Sequence, residues 1–377
     1  MKRRWLTTLA LIQVVIAMVA CTPARPAPTG SAPIAPPGDP IQAEWDRLVA
    51  AAKTEGTLLM AGPQGDENRE ALTRPFEEKY GISIEYLGVG GPELPPRVTQ
   101  ERASGLYNWD VFMAGTTTLV RGLKPTGALE PIEPALILPE VKDPSKWLGG
   151  ELPFFDADHS GLSVLRIAGQ YFYRNTDQVR ADEIKSWKDL LDPKWKGKIV
   201  VGRDPRVAGY GRAMFVFFYT HPELGPDFVR ALLRQDLQML RDDRTGAQQL
   251  VQGQYALCFC SDLEVQRMIE IGQPVAVVDP RQVREGSQST SAYGNITLAN
   301  RAPHPNAAKL YVNWLLSKEG ATHLVKASKS PSTRADVPPE GVGSWAIPEP
   351  SWPMTNTEAY LALEEPLVSL IVDVIGQ

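Results

Sequence analysis

Residues 43–114 predict an α/β fold with a parallel sheet covered by helices. Three observations carry this. Apolar residues recur at helical spacing in 43–53, and 66–80 reads as mostly helix between Asp66 and Gly81. Short apolar or alternating runs follow at 57–61, 82–87 and 109–114. Glycine or proline punctuates the junctions, so helix and strand alternate along the chain. With 377 residues, 43% of them hydrophobic, the chain has apolar content for two or three domains.

In the first helix, AEWDRLVAAAK, Trp45, Leu48, Val49 and Ala52 share one face, and Glu55-Gly56 stops it. Thr57 to Ala61 reads as a buried strand, bounded by Gly56 and Gly62-Pro63. The helix over 66–80 takes Asp66 as an N-cap and Gly81 as a stop, with Pro75 a candidate kink. Ile82, Ile84 and Tyr86 alternate in a second strand. Residues 96–104 read as a helix and 109–114 as a third strand. In a parallel sheet, ligands sit beyond the carboxyl ends of the strands. Those ends carry Gly62-Pro63-Gln64-Gly65 and Gly115-Thr116-Thr117-Thr118. Each precedes a helix start, where free N–H groups attract anions. Gln64, Thr116 and Thr117 are therefore ligand candidates.

The N-terminus reads differently. Lys2, Arg3 and Arg4 precede an apolar run to Ala20, too short for a bilayer span of roughly 20 residues and suited to a signal peptide. Ala20-Cys21 resembles the lipobox of bacterial lipoproteins, with Met18 where that family places Leu or another aliphatic residue. The resemblance implies cleavage before Cys21 and a lipid on its sulfur. Cleavage removes three cations and takes the formal charge from −5 to −8. Residues 22–41 contain seven prolines among Ala, Gly, Ser and Thr. Such a segment cannot bury enough apolar surface to offset its ordering entropy, and reads as an extended stalk.

The helix ending in KTEG, FEEKYGISIEY and WDVFMAG resemble the opening of bacterial ABC-transporter solute-binding proteins. SWKDLLDPKWKGKIV (186–200), preceded by YRNTD (173–177), and ANRAPHPNAAKLYVNWLLSKEG (299–320) strengthen the likeness. The chain is most similar to the ferric-ion-type subgroup of the type 2 periplasmic-binding fold. That resemblance implies an α/β fold of two lobes (a Venus flytrap), joined by crossings at 165–173 and 288–298. It divides the chain into a signal at 1–20, a linker at 21–41, lobe 1 at 42–168 and lobe 2 at 169–288. Residues 289–377 then hold the return to lobe 1 and the C-terminal helices. It implies an exported, lipid-anchored monomer on the outer face of the cytoplasmic membrane. The protein would capture a small solute, anionic or a chelated metal, and pass it to an ABC permease. No cofactor and no catalysis are implied. A solute sensor without transport is the alternative, and an exported hydrolase a weaker one.

The crossings place Tyr171, Ser289, Thr290 and Ser291 beside the cleft, as ligand contacts or as plain hinge hydroxyls. In the second lobe, RDPRVAGY follows the strand at 198–201, and the N–H groups of Gly209, Tyr210 and Gly211 face an anion or close a turn. Arg241 and Arg244 reach the cleft or pair with Asp242 and Asp243. Ser261 and Asp262 end the strand at 255–260, as ligands or as a helix N-cap. Trp187, Leu190, Leu191 and Trp195 read as core around an Asp192-Pro193 turn. Asn306 reads as the cap of a packed amphipathic helix, and 226–235 as another helix.

Several functions are disfavoured. An acidic chain does not suit nucleic acid. Ser261-Asp262 stands where ferric-binding relatives carry adjacent tyrosines, and Gly65-Asp66 and Gly115 stand where some carry His and Glu. Direct ferric clamping is not expected, and no metal site is assigned. Cys258 and Cys260 alternate onto one strand face and read as buried apolar thiols. Neither G-x-S-x-G nor H-E-x-x-H occurs. Asp156, Asp158 and His159 form the one acidic–histidine cluster.

Overall fold

The computed structural model describes residues 39–169, 172–207, 210–260 and 262–376. The signal segment, Cys21 and nearly all of the proline stalk lie outside the described residues. So do Tyr171, Gly209 and Ser261, and the side chains of Tyr210 and Asp262.

Chain order begins with α1 (Pro40–Glu55), β1 (Thr57–Gly62), α2 (Asp66–Tyr80), β2 (Ser83–Gly88), α3 (Leu94–Ala103) and β3 (Val111–Ala114). Next come β4 (Leu129–Glu130), the short α4 (Pro139–Lys142) and β5 (Gly161–Ser163). The alternation read from sequence is present. Pro40 and Ile41, placed in the stalk, belong to α1, because proline suits a first helical turn. Asp66 lies inside α2 and Gly65 occupies the cap position, while Gly81 closes the helix in the left-handed conformation. Pro75 does not break α2. Leu72, Phe76 and Tyr80 are buried on one face, and that packing outweighs one missing backbone bond.

β6 (Ile167–Ala168) leaves the first lobe and β12 (Ser289–Thr290) returns. They pair antiparallel, Ser289 with Ala168 and Thr290 with Ile167. Between them lie β7 (Phe172–Asn175), β8 (Ile199–Val201), α5 (Tyr210–Thr220) and α6 (Gly225–Leu233). They are followed by β9 (Gln238–Met239), α7 (Asp243–Val251), β10 (Leu257–Phe259), α8 (Asp262–Glu270) and β11 (Val275–Val277). After the return come β13 (Asn295–Ala299), α9 (Pro305–Leu316), α10 (Lys318–Ser328), the short α11 (Glu358–Leu361) and α12 (Glu364–Ile375).

Besides the β6/β12 pair, the described residues form two sheets, each with its own core. The first runs β2-β1-β3-β13-β4, with β5 also on β13. β1, β2 and β3 are parallel, and β13 is antiparallel to β3. Leu58, Met60, Phe76, Met113, Ile296, Tyr311 and Trp314 fill its core. The second sheet runs β11-β7-β10-β8-β9, with Phe172, Trp187, Ile199, Phe215, Phe218 and Phe259 packed against it. Trp187 meets Phe172 edge-on at 5.4 Å, and Trp195 is buried, as their residue types predicted. Ser186 and Asp189 form a capping box ahead of them, and Asp192 caps the next turn.

Two readings are corrected. α9 has no side-chain cap of its own. Pro305 and Asn306 lie within it, and the Glu55 carboxylate receives the N–H groups of Asn306 (3.2 Å) and Ala307 (2.7 Å) and the Asn306 amide (2.6 Å). Of the C-terminal helices, α12 buries Leu367, Leu370 and Ile371 in the second core. Cys258 and Cys260 are fully buried on one face but are joined as a disulfide and are not free thiols. Their Cα atoms are 5.5 Å apart, within the span a bridge tolerates, and the strand's alternation brings the sulfurs together.

Candidate functional site

The strand ends that the sequence singled out belong to the carboxyl edges of two separate sheets, and the β6/β12 pair links them. On the first sheet, Gln64 follows β1 and is exposed, its carbonyl accepting from the Asn68 amide (2.7 Å). The Tyr86 hydroxyl donates to the Pro63 carbonyl (2.6 Å) and closes under Gly62, where a Cβ would strike the phenol ring. Burial raises the Tyr86 phenol pKa, so it stays a neutral donor. The Tyr293 hydroxyl donates to Asn68 (3.1 Å). Tyr293 thus brings the return crossing against the Gln64 loop. No motif pointed to Tyr293; its position just after β12 was the available signal.

Thr117 is exposed at the head of a single-segment π-helix, Thr117–Leu123, at the end of β3. Thr116, its neighbour, is buried, and its hydroxyl is committed within the protein. It donates to the Asn356 carbonyl and accepts from the Asn295 amide (3.3 Å). Thr290 is half-buried and its hydroxyl accepts from the Ala292 N–H (3.0 Å). Ser289 and Ser291 are not solvent-facing hinge hydroxyls. Ser289 accepts from Arg166 (3.1 Å) and donates to the Pro353 carbonyl (3.2 Å), and Ser291 accepts from the Asn356 amide (2.5 Å). Pro353 and Asn356 belong to a C-terminal strap, residues 350–358, which runs beside the crossings and carries the chain back to the second lobe.

On the second sheet, β8, β9 and β10 are parallel, so Arg203 and Arg241 follow the same edge. A cavity of about 670 Å³ opens there, lined by Arg203, Arg206, Leu240, Arg241 and Val372 among others. Arg206 is neutralised. Its guanidinium is forked onto Asp204 (2.6 and 3.0 Å) and reaches the Gly376 carbonyl (2.7 Å). Burial pulls the Asp204 carboxyl up, and the bonds from Arg206 more than offset this and hold it below the usual carboxylate range. Arg241 is exposed and has no ion pair among the described residues, although Asp242 adjoins it; Asp242 instead caps α7 through Thr245 (2.8 Å). Arg203 forms a long ion pair with Asp243 (3.7 Å) and stands half in solvent. The edge therefore presents two guanidiniums, one loosely paired and one without an ion pair among the described residues. Arg203 was read only as the start of a loop; its place directly after a strand and Gly202 was the usable signal. Gly202 is required there, because a Cβ would lie 2.9 Å from the Asp243 backbone.

The acidic–histidine cluster is structural. Asp156 and Asp158 both bind Lys124 (3.0 and 2.8 Å), while His159 stacks on Phe154 and bonds Glu133 (2.7 Å). Among the described residues, no group of three or more His, Cys, Asp or Glu is placed to hold a metal ion.

Two lobes on a paired crossing, with polar loops at both carboxyl edges, define a hinged binding protein. Residues 71–349 match the family model of the bacterial extracellular solute-binding proteins. This chain belongs to that family. Its fold is similar to Trichodesmium FutA (IdiA) solved in complex with iron and citrate ligands. That likeness has a TM-score of 0.64 and 18% identity, and covers 85% of this chain and 100% of that one. It is also similar to the periplasmic binding protein AfuA from Actinobacillus pleuropneumoniae with fructose-6-phosphate bound. There the TM-score is 0.56 and the identity 21%, over 85% of this chain and 98% of that one. An uncharacterized protein of Haemophilus influenzae is 26% identical over 282 residues, 72% of this chain and 75% of that protein.

Proposed function

We propose that the protein is the solute receptor of an ABC importer, holding a small anionic solute between its lobes and handing it to a membrane permease. The observation that carries the anion is the Arg203–Arg241 pair at the carboxyl edge of the second sheet. A phosphorylated or multiply carboxylated solute suits two guanidiniums. The two solved relatives with fructose-6-phosphate, and with iron and citrate, are consistent with either class. The proposed contacts are Gln64 and Thr117 on the first lobe, Thr290 at the crossing, and Arg241 with Gly209, Tyr210, Ser261 and Asp262 on the second. Tyr171 is proposed as a further contact. Thr116 is left out because its hydroxyl is already bonded.

No covalent chemistry is needed. A solute that binds the closed form better shifts the lobes toward closure by that difference in affinity. The reading includes a lipid on Cys21 holding a monomeric receptor at the outer face of the cytoplasmic membrane, with the proline segment as a spacer. Intact-mass analysis of protein from membranes, against a Cys21→Ser variant, checks the anchor.

Native mass spectrometry of freshly purified protein should show a carried anion. A thermal-shift panel of sugar phosphates, tricarboxylates and ferric citrate should raise the melting temperature with at least one. Arg203→Ala and Arg241→Ala should each weaken that solute about tenfold or more, the scale of one charge-assisted contact. Unchanged affinity in both variants would remove the anion reading.

A further inference from the structure

Behind the crossing strands lies a cavity of about 340 Å³, distinct in its lining from the Arg203–Arg241 edge. Its walls are largely apolar, with Leu148, Leu152, Phe154, Met354 and Tyr360 among them, and Arg166 also lines it. Arg166 directly precedes β6 and is 8% exposed. Its guanidinium donates to Ser289 (3.1 Å) and to the Pro350 (3.1 Å) and Trp352 (2.6 Å) carbonyls. All three acceptors are neutral, and they use Nε and Nη2 only. Among the described residues no carboxylate pairs with Arg166; Glu151, the acidic residue of the lining, is exposed and makes no ion pair with it.

A buried cation without a counter-charge is costly, and proteins ordinarily neutralise one. Burial indeed lowers the Arg166 pKa from its ordinary value. Nη1 has no hydrogen bond among the described residues, and Arg166 lines the cavity, so the site suits an acceptor that brings its own charge. We propose that this cavity is a second ligand site for a small organic monoanion with an apolar body, its carboxylate seated on Arg166. At about 30 Å³ per water, the volume suits roughly ten non-hydrogen atoms, the size of an aryl carboxylate. The site touches the first lobe, the crossing and the C-terminal strap together, so its occupant would bear on the hinge. The proposal does not depend on which solute fills the cleft.

Phenylacetate and its neutral isostere phenylacetamide are the probes, titrated by calorimetry into the full protein. Phenylacetate should bind saturably below about 10 mM, and the amide at least about tenfold more weakly, the loss of one charged contact. Arg166→Gln should weaken phenylacetate about tenfold or more. Leu152→Trp, which fills the cavity and leaves the Arg166 bonds in place, should abolish binding while the protein stays folded. If Arg166→Gln does not fold, the amide comparison and Leu152→Trp decide alone. No saturable phenylacetate binding, equal binding of acid and amide, or unchanged binding to Leu152→Trp would each overturn the assignment.

Discussion

Lys124 offers the sharpest test of how the C-terminal strap is held. Its ammonium sits among three carboxylates: Asp156 at 3.0 Å, Asp158 at 2.8 Å and Glu358 at 2.7 Å. Asp156 is fully buried and also accepts from the Ser160 N–H (2.9 Å) and hydroxyl (2.6 Å). Glu358 comes from α11, so this cation joins the strap to the first lobe. Lys124→Met would leave three converging negative charges. Removing one partner of a buried pair costs about 3–5 kcal/mol. Here Asp158 is two-thirds exposed and Glu358 one-third, so solvent screening reduces this to about 2–3 kcal/mol. At about 1.5 °C per kcal/mol for a chain of this length, the melting temperature should fall by roughly 3–5 °C at pH 7.

The pH dependence follows from the same geometry. Partial burial pulls the Lys124 pKa down, and its bonds to Asp158, Glu358 and Asp156 outweigh that and raise it above the ordinary lysine range. A cation with a raised folded pKa contributes its stability in full below the unfolded value. That contribution is lost only as pH rises through the folded value, so neutral and acidic melts of the wild type keep the cation. The gap between wild type and Lys124→Met, measured by calorimetry, should therefore persist from pH 7 to pH 9, where the lysine stays charged. A gap under about 1 °C at pH 7, or one that closes between pH 7 and pH 9, would refute the reasoning.

Further outcomes follow from other contacts. Glu364 accepts from Arg121 of the first lobe (2.6 Å) and Arg212 of the second (3.0 Å), so Arg121→Ala should leave the melting temperature nearly unchanged. It should shift the lobe-opening equilibrium about fivefold, the effect of about 1 kcal/mol, and an unchanged distance distribution between fluorophores on the two lobes would contradict this. Glu55→Ala, which strips the N-terminus of α9, should cost about 1–2 kcal/mol in a denaturant melt, and Glu55→Gln less. Cys258 and Cys260, both fully buried, should resist alkylation in the native protein even with mild reductant, and release two thiols only when unfolded under reduction. Alkylation at either residue in native, unreduced protein would show that the bridge is absent.

Much of the first lobe was legible because its signals are local. Leu72, Phe76 and Tyr80 recur at helical spacing, and Gly81 marks the stop, so α2 could be bounded before any contact was known. The crossings were legible only through family resemblance, since residues 165–173 and 288–298 carry no periodic pattern that sets them apart. The small strands β5, β9 and β11 escaped notice because two or three residues are too few to show alternation. The site divides the same way. Gln64 and Thr117 were found from strand ends. Thr116 and its hydroxyl partner Asn356 are 240 residues apart, and no sequence rule links them.

By itself, the sequence determined the α/β class, the ordering of helices and strands, the apolar faces and the acidic character. Those follow from side-chain periodicity, turn chemistry and composition, which act over a few residues. Only the tertiary structure decided that α12 packs in the second lobe, that Glu55 caps a helix 251 residues away, and that the strap fastens both lobes. It also decided that Arg203 and Arg241 line one cavity while Arg206 is neutralised by Asp204. Charge availability and burial depend on which distant groups become neighbours, and strand pairing and helix packing settle that.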